Sequence, residues 1–106
     1  ALPGFVYGGL IASLVDCHAM ATAAAAAMVA AGAMPGRDQT PRFVTASLNI
    51  EFLRPTPLGP ELLLQARPVE TAERKVVVTV SILADGAECA TSRVIAVRAP
   101  RTMAGR

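Results

Sequence analysis

The sequence predicts an α+β domain in which one long helix lies across an antiparallel sheet of four strands. Two observations lead to this prediction. The early part of the chain is rich in alanine and contains neither proline nor glycine from Leu10 to Ala31. From Arg42 onward, apolar residues instead recur in short extended segments that turn residues separate.

The alanine-rich stretch predicts a helix of about six turns, because alanine has the highest helix propensity. The helix follows Gly8-Gly9 and ends at Gly32, and Pro35-Gly36 stops the chain from continuing it. Small or apolar residues occupy nearly every face. We therefore expect protein to surround this helix.

The first predicted strand alternates strictly. Apolar residues at every second position from Val44 to Phe52 give one face, and polar residues from Thr45 to Glu51 give the other. Asp85-Gly86 is a strong hairpin signal between the last two strands. We expect consecutive strands to pair as a meander with the helix across one face. The predicted strands are Arg42–Leu53, Glu61–Glu70, Arg74–Ala84 and Ala87–Arg98.

Length and composition are those of one packed domain spanning residues 1–106. The chain has a mass of 10.9 kDa, 53% hydrophobic residues and 17% charged residues. This composition excludes a disordered segment. A chain of this size buries roughly 65% of its unfolded surface, which is little for a monomer. We expect a homodimer or tetramer that joins sheet edges or packs helix against helix.

Composition also limits the kinds of binding partner and the cellular compartment that we expect. The net charge is +2, the basic residues are scattered, and four aromatic residues are too few for a base-stacking platform, so nucleic acid is not indicated. Asp16 and His18 inside the helix argue against a membrane span, and no charged segment precedes it as in a signal peptide. We interpret Cys17 and Cys89 as buried thiols in a reducing cytoplasm.

The strongest candidate site is Tyr7-Gly8-Gly9 followed by Asp16. Glycines at a helix N-terminus leave backbone N–H groups accessible, and the helix dipole favours a developing oxyanion there. Asp16 is the only acidic residue before Asp38, and a carboxylate in an apolar helix is costly unless it is paired or functional. A structural role in a contact with a strand or a partner subunit is the alternative.

The sequence gives little support to a catalytic dyad, a metal site or a serine hydrolase. His18 lies about 200° round the helix from Asp16, so the two cannot form a dyad. Cys17-His18 are adjacent and Cys89 stands alone, so no metal-ligand spacing exists. Ser13 is not in a nucleophile-elbow motif, which argues against a serine hydrolase.

Two stretches resemble the hotdog-fold acyl-CoA thioesterases of the phenylacetate-pathway and 4-hydroxybenzoyl-CoA types. Pro3 to Asp16 is similar to the family signature in which His-Gly-Gly opens the long helix and Asp follows. Phe43 to Pro55, with Leu58-Gly59 beyond it, is similar to the strand after that helix. The resemblance covers nearly the whole chain and implies a hotdog fold.

The resemblance also implies roles. Asp16 corresponds to the catalytic carboxylate, acting as general base or nucleophile, and the Gly8 N–H polarises the thioester carbonyl. Thr45 aligns with a residue that positions the water or the carboxylate, and is implied to face Asp16 across two subunits. Tyr7, Gly9 and Arg54 are implied to contact substrate. Apart from the resemblance, the basic residues Arg54, Arg74 and Lys75 are candidates to meet the nucleotide phosphates, and ordinary solvated surface is the alternative for each. No metal or cofactor is implied, since coenzyme A is part of the substrate.

The sequence departs from the family pattern at two points. Tyr7 stands where the family has His, and the upstream strand pair of the family is not in this sequence, so we expect N-terminal strands to be missing from it. Hydrolysis of an acyl-CoA is the leading hypothesis. The alternatives are a hotdog domain that binds an acyl thioester or assembles without hydrolysing it, and a hotdog dehydratase or hydratase.

Overall fold

The computed structural model describes residues 3–100 and contains one helix and four strands in the predicted order. Helix α1 begins earlier than predicted, because the two glycines form its first turn. The strand boundaries lie within one residue of the predicted ones. The elements are α1 Gly8–Ala31, β1 Phe43–Phe52, β2 Leu62–Thr71, β3 Lys75–Ala84 and β4 Ala87–Arg98.

Two turns explain where elements end. Gly32 has φ 68°, a left-handed conformation that lets its N–H bond to the last carbonyls of α1. Asp85 and Gly86 have φ 50° and 79°, as a type I′ turn requires, so β3 and β4 form the predicted hairpin.

The predicted meander is wrong at its first step. The strand order is β1-β4-β3-β2, so β1 pairs with β4, and β1 and β2 lie at opposite edges. The prolines at 55 and 57 cannot donate to a hairpin ladder. The chain after β1 pairs instead with the segment before the helix, through Val6 N–H to the Thr56 carbonyl (2.8 Å) and Leu58 N–H to the Gly4 carbonyl (2.8 Å).

A β-bulge in β1 breaks the predicted alternation. The register shifts between Thr45 and Ser47, which leaves Ala46 unpaired. Thr45 lies opposite Ala96, and Leu48 lies opposite Val94, two residues of the helix-facing core. Because opposed residues share a face, Thr45 lies on the helix side with Leu48 rather than on the polar side.

The core lies between one side of α1 and the sheet. Ile11, Val15, Ala19 and Ala23 recur every fourth residue and pack on buried residues of β3 and β4. The expectation that protein surrounds the helix is wrong for the single chain, because its other faces are exposed or half-buried. By length and composition α1 is also able to span a membrane, a property it shares with core helices of soluble proteins.

Two valines on the same helix test this packing. Val15 is fully buried, whereas Val29 is 80% exposed. Val15→Ala should lower the free energy of unfolding by about 2 kcal/mol, because it removes buried methyl groups and leaves a cavity. Val29→Ala should change it by less than about 0.5 kcal/mol. Urea unfolding of both variants measures the difference, and equal effects would contradict the placement of α1.

Candidate functional site

The N-terminus of α1 presents uncapped backbone N–H groups. Tyr7 is the N-cap residue, and its side chain makes no capping hydrogen bond. Its carbonyl accepts from the N–H groups of Leu10 and Ile11, both at 3.2 Å. Gly8 and Gly9 are exposed, and the N–H groups at the first two positions of a helix have no acceptor within it. This end of the helix therefore offers hydrogen-bond donors to an acceptor.

The two glycines keep space open rather than supply a left-handed conformation, since neither has a positive φ. A Cβ on Gly8 would lie 3.5 Å from Cζ of Phe52, in ordinary contact with that ring. A Cβ on Gly9 would lie 3.1 Å from Cε2 of Tyr7, which is tight. Side chains here would occupy the approach to the helix N-terminus.

A cavity of about 380 Å³ adjoins this end of the helix. Gly8 and Arg54, two of the residues that the sequence singles out, line it together. The remaining side chains of the lining are apolar except for the buried Thr56. The full lining is Val6, Gly8, Ile11, Phe52, Leu53, Arg54, Pro55 and Thr56.

Asp16 and Thr45 form the second part of the site. The Thr45 hydroxyl donates a hydrogen bond to Oδ1 of the half-buried Asp16 carboxylate. The bulge at Ala46 makes this contact possible, since it turns Thr45 toward the helix. The resemblance implied a contact between two subunits. In the structure the contact forms within one chain, because α1 crosses β1 at this point.

Gly8 and Asp16 of one chain lie at separate places along the helix. Eight residues of α-helix correspond to a rise of about 12 Å. A carboxylate that attacks a carbonyl directly must approach its carbon to about 3 Å. A carbonyl bound at the Gly8 N–H is therefore out of direct reach of Asp16 in the same chain.

Several sequence candidates lie apart from these two groups. His18 is exposed and faces away from the Asp16 side of the helix. Cys17 is exposed, which corrects the prediction of a buried thiol, whereas Cys89 is buried as predicted. Cys17 is exposed because the sheet covers only one face of the helix. Tyr7 is 57% exposed, and its ring lies against Gly9.

Two of the basic residues expected to meet nucleotide phosphates, Arg54 and Lys75, lie far apart in the single chain. The Arg54 N–H bonds to the Cys89 carbonyl near the start of β4, whereas Lys75 pairs with Val97 near its end. These two places are about 26 Å apart at the rise of an extended strand. Lys75 also forms an ion pair with Glu70 at 3.2 Å. Only Arg54 of the three lines the cavity.

Sequence reasoning missed Phe52 and Thr56 as parts of the site. In the sequence, Phe52 is one of several apolar residues of a strand, and Thr56 lies in the connection that follows it. The only local signal was the Pro-Thr-Pro run from 55 to 57, which indicates a rigid segment. Across residues 3–100, no group of three or more His, Cys, Asp or Glu side chains is placed to hold a metal ion.

Alanine substitutions test whether Gly8 and Gly9 are needed for the space they leave or for a backbone conformation that only glycine adopts. Gly8→Ala should raise the free energy of unfolding by up to about 1 kcal/mol, because alanine favours the helix and its Cβ meets Phe52 at ordinary distance. Gly9→Ala should stabilise the fold less than Gly8→Ala, because the Tyr7 ring must move to make room for the new Cβ. Denaturant unfolding of both variants measures this. A loss of stability in Gly8→Ala would show that its backbone requires glycine.

Comparison with known proteins agrees with this architecture. The family model described as the thioesterase superfamily matches residues 3–90. A thioesterase superfamily protein from Shewanella loihica PV-4 is 49% identical, with a TM-score of 0.76, over 94% of this chain and 73% of that one. No match to the curated proteins was found.

More distant structures share the fold. A Bacillus halodurans protein solved with CoA is 24% identical with a TM-score of 0.70, over 91% of this chain and 57% of that one. A Streptococcus mutans protein bound to acetyl CoA is 23% identical with a TM-score of 0.68, over 93% of this chain and 70% of that one. The long helix on an antiparallel sheet is the hotdog fold, and the chain belongs to the thioesterase superfamily.

Proposed function

We propose that this protein is an acyl-CoA thioesterase whose Asp16 activates the water that cleaves the thioester. The observation that carries the proposal is the Asp16–Thr45 hydrogen bond at the edge of the sheet, in a chain of the thioesterase superfamily. The bond to Thr45 occupies Oδ1, which leaves Oδ2 of Asp16 as a proton acceptor. The CoA and acetyl CoA in the two distant structures agree with a CoA substrate.

The reaction then needs one general base and one set of hydrogen-bond donors. Oδ2 takes a proton from water as the water oxygen bonds to the thioester carbon, and the Gly8 N–H and the helix dipole stabilise the oxyanion. The C–S bond breaks, and the CoA sulfur leaves as a thiolate that takes up the proton. Direct attack by the Asp16 carboxylate is the alternative first step. Neither route requires a metal or a further cofactor.

The separation of Gly8 from Asp16 supports a site shared by two chains. Gly8 lies against Phe52 near the end of β1, and Asp16 bonds to Thr45 near its start. β1 is an edge strand, so a second copy can add its own β1 antiparallel to it. Pairing centred on Asn49, with Ala46 bulged out, sets Phe52 opposite the partner's Thr45, and therefore sets Gly8 beside the partner's Asp16.

Exposed apolar side chains along β1 also support a homodimer in which the two β1 strands pair. Leu48 is 38% exposed, Phe52 is 55% exposed and Leu53 is 48% exposed, all large apolar side chains at this edge. Ala12 and Ser13 are the small residues of α1 midway between Gly8 and Asp16. Small side chains there allow two helices to approach each other. Association of two dimers into a tetramer is compatible with the same site.

The remaining substrate contacts follow from the cavity. The apolar side chains of its lining suit an acyl group, and the Arg54 guanidinium suits the phosphates of the nucleotide. Tyr7 and Gly9 flank the donors at the helix N-terminus. Free thiols and a CoA substrate fit a cytoplasmic enzyme.

The alternatives have less support. A hydratase needs a His that faces an acid, and the exposed His18 lies on another face of the helix from Asp16. Binding without hydrolysis is supported by Tyr7, which stands in place of the family's His. Thiol release measured beside thioester binding separates these possibilities.

Asp16→Asn should abolish most turnover, by about 100-fold or more, because asparagine cannot accept the proton. Release of CoA thiol from a panel of short, long and aromatic acyl-CoAs measures the effect. Asp85→Asn is the matched control, since asparagine suits the left-handed turn position that Asp85 occupies, and its turnover should equal that of the wild type.

Both variants should keep the oligomeric state of the wild type. Turnover that survives in Asp16→Asn would overturn the catalytic role of Asp16. Thioesters that bind but release no thiol in the wild type would identify a binding domain instead.

Mixing two inactive variants tests the shared site. Gly8→Val blocks the donors and Asp16→Asn removes the base, so each variant alone should be inactive. In a mixed dimer one site carries both defects and the other carries neither. Refolding the two together should therefore restore about a quarter of wild-type turnover. No restoration, with mixed dimers demonstrated by tags of different mass, would place both groups of a site in one chain.

A further inference from the structure

Arg98, at the end of β4, has a side chain held in one direction. Its Nε–H donates to the Glu73 carbonyl at 3.0 Å, and its guanidinium lies over the Phe43 ring, 5.4 Å from the ring centroid. A guanidinium has N–H donors on three nitrogens, so those on the two terminal nitrogens remain. Within residues 3–100, Arg98 forms no ion pair. Its charge is therefore exposed and without a counterion in this part of the chain.

Arg98 lies on the same side of the sheet as Thr45 and Asp16. In the ladder between β1 and β4, Arg98 is opposite Phe43, and Ala96 is opposite Thr45. Residues two apart on a strand share a face, so Phe43 and Arg98 lie on the helix side as Thr45 does. The two pairs are separated by about 7 Å along the strand. Arg98 therefore lies beside the proposed catalytic carboxylate, not at it.

The proposed pairing of two β1 strands brings a second guanidinium to the same place. The register that sets the partner's Phe52 opposite Thr45 sets the partner's Arg54 opposite Phe43. Arg54 is exposed, and alternation from Phe52 places it on the helix side. Neighbouring strands lie about 4.8 Å apart, so the backbones at Arg98 and at the partner's Arg54 are about 10 Å apart. Two arginine side chains can meet across that distance, over the Phe43 ring.

Two guanidinium groups this close repel each other unless an anion lies between them. Guanidinium binds phosphate through paired, parallel hydrogen bonds, and the terminal nitrogens of Arg98 supply such donors. The nucleotide of CoA carries a diphosphate and a 3′-phosphate, which the pantetheine arm separates from the thioester. A site for these phosphates must therefore be offset from Asp16, as the Phe43 position is.

We infer that Arg98 of one chain and the partner's Arg54 together bind a phosphate group of the CoA nucleotide. This inference rests on the proposed function and on its homodimer. Arg98 takes the role considered for Lys75, whose ammonium instead pairs with Glu70 at 3.2 Å. The phosphate site then needs two chains, as the proposed catalytic site does.

Binding of CoA itself tests the site, because CoA is the product and its binding does not depend on turnover. Arg98→Gln should weaken CoA binding about tenfold at low salt in isothermal titration calorimetry, because it removes charged hydrogen bonds. Added salt should also weaken binding less in this variant than in the wild type. Arg98→Lys keeps the charge and should retain part of the affinity. Arg54→Gln, which makes no change near Glu73, should weaken binding to a similar extent.

Arg93→Gln is the matched control. Arg93 is an exposed arginine of the same strand, and it lies next to Val94 of the helix-facing core, so it faces the other side of the sheet. Its CoA affinity should stay within about twofold of the wild type. An equal loss in Arg93→Gln and Arg98→Gln would show a general effect of charge and overturn the inference.

A mixture of Arg54→Gln and Arg98→Gln tests the contribution of two chains. Each variant alone lacks one guanidinium in every site. In a mixed dimer one site lacks both and the other keeps both, so refolding equal amounts together should restore wild-type affinity at about a quarter of all sites. Demonstrated mixed dimers without such tight sites would overturn the inference.

The inference and the proposed function fail in different ways. Unchanged CoA affinity in Arg98→Gln, in a protein that hydrolyses acyl-CoAs, overturns the phosphate site and leaves the proposed function standing. A wild-type protein that binds CoA but hydrolyses no acyl-CoA overturns the proposed function, and the loss of affinity in Arg98→Gln would still support the phosphate site. No CoA binding by the wild type overturns the inference.

Discussion

Close contact between α1 and the sheet determines the position of every other part of the site. The residues that make this contact recur every fourth position, and Ala19 and Ala23 among them let the backbone lie near the strands. The helix therefore crosses the sheet along one fixed path. Its first turn reaches Phe52, and its third turn reaches Thr45 through Asp16. The separation of Gly8 from Asp16 follows from this path.

Local sequence signals predicted the elements well, because each depends on neighbouring residues. The helix, its end at Gly32 and the Asp85-Gly86 turn all follow from propensity and turn chemistry. The strand order was not predictable in the same way. It depends on the segment after β1 pairing with the segment before α1, a contact between residues about fifty positions apart.

The candidate site likewise combines residues that the sequence reveals with residues that only the folded chain reveals. Gly8 and Asp16 stand out in the sequence, because two glycines before a helix and an acid inside an apolar one are unusual patterns. Thr45 was found only through the resemblance, and with the wrong orientation, since alternation alone cannot reveal a bulge. Thr56 carries no signal beyond the two prolines that flank it. Its burial beside Gly8 is visible only in the folded chain.

The bulge at Ala46 has a consequence for how such chains diverge. Side chains alternate along a strand, so one inserted residue exchanges the roles of all positions on one side of it. A relative that lost this residue would keep nearly the same composition and hydrophobicity, yet would turn its hydroxyl away from Asp16. In this strand, a single-residue deletion is therefore a larger functional change than most substitutions. Sequence identity measures such a change poorly.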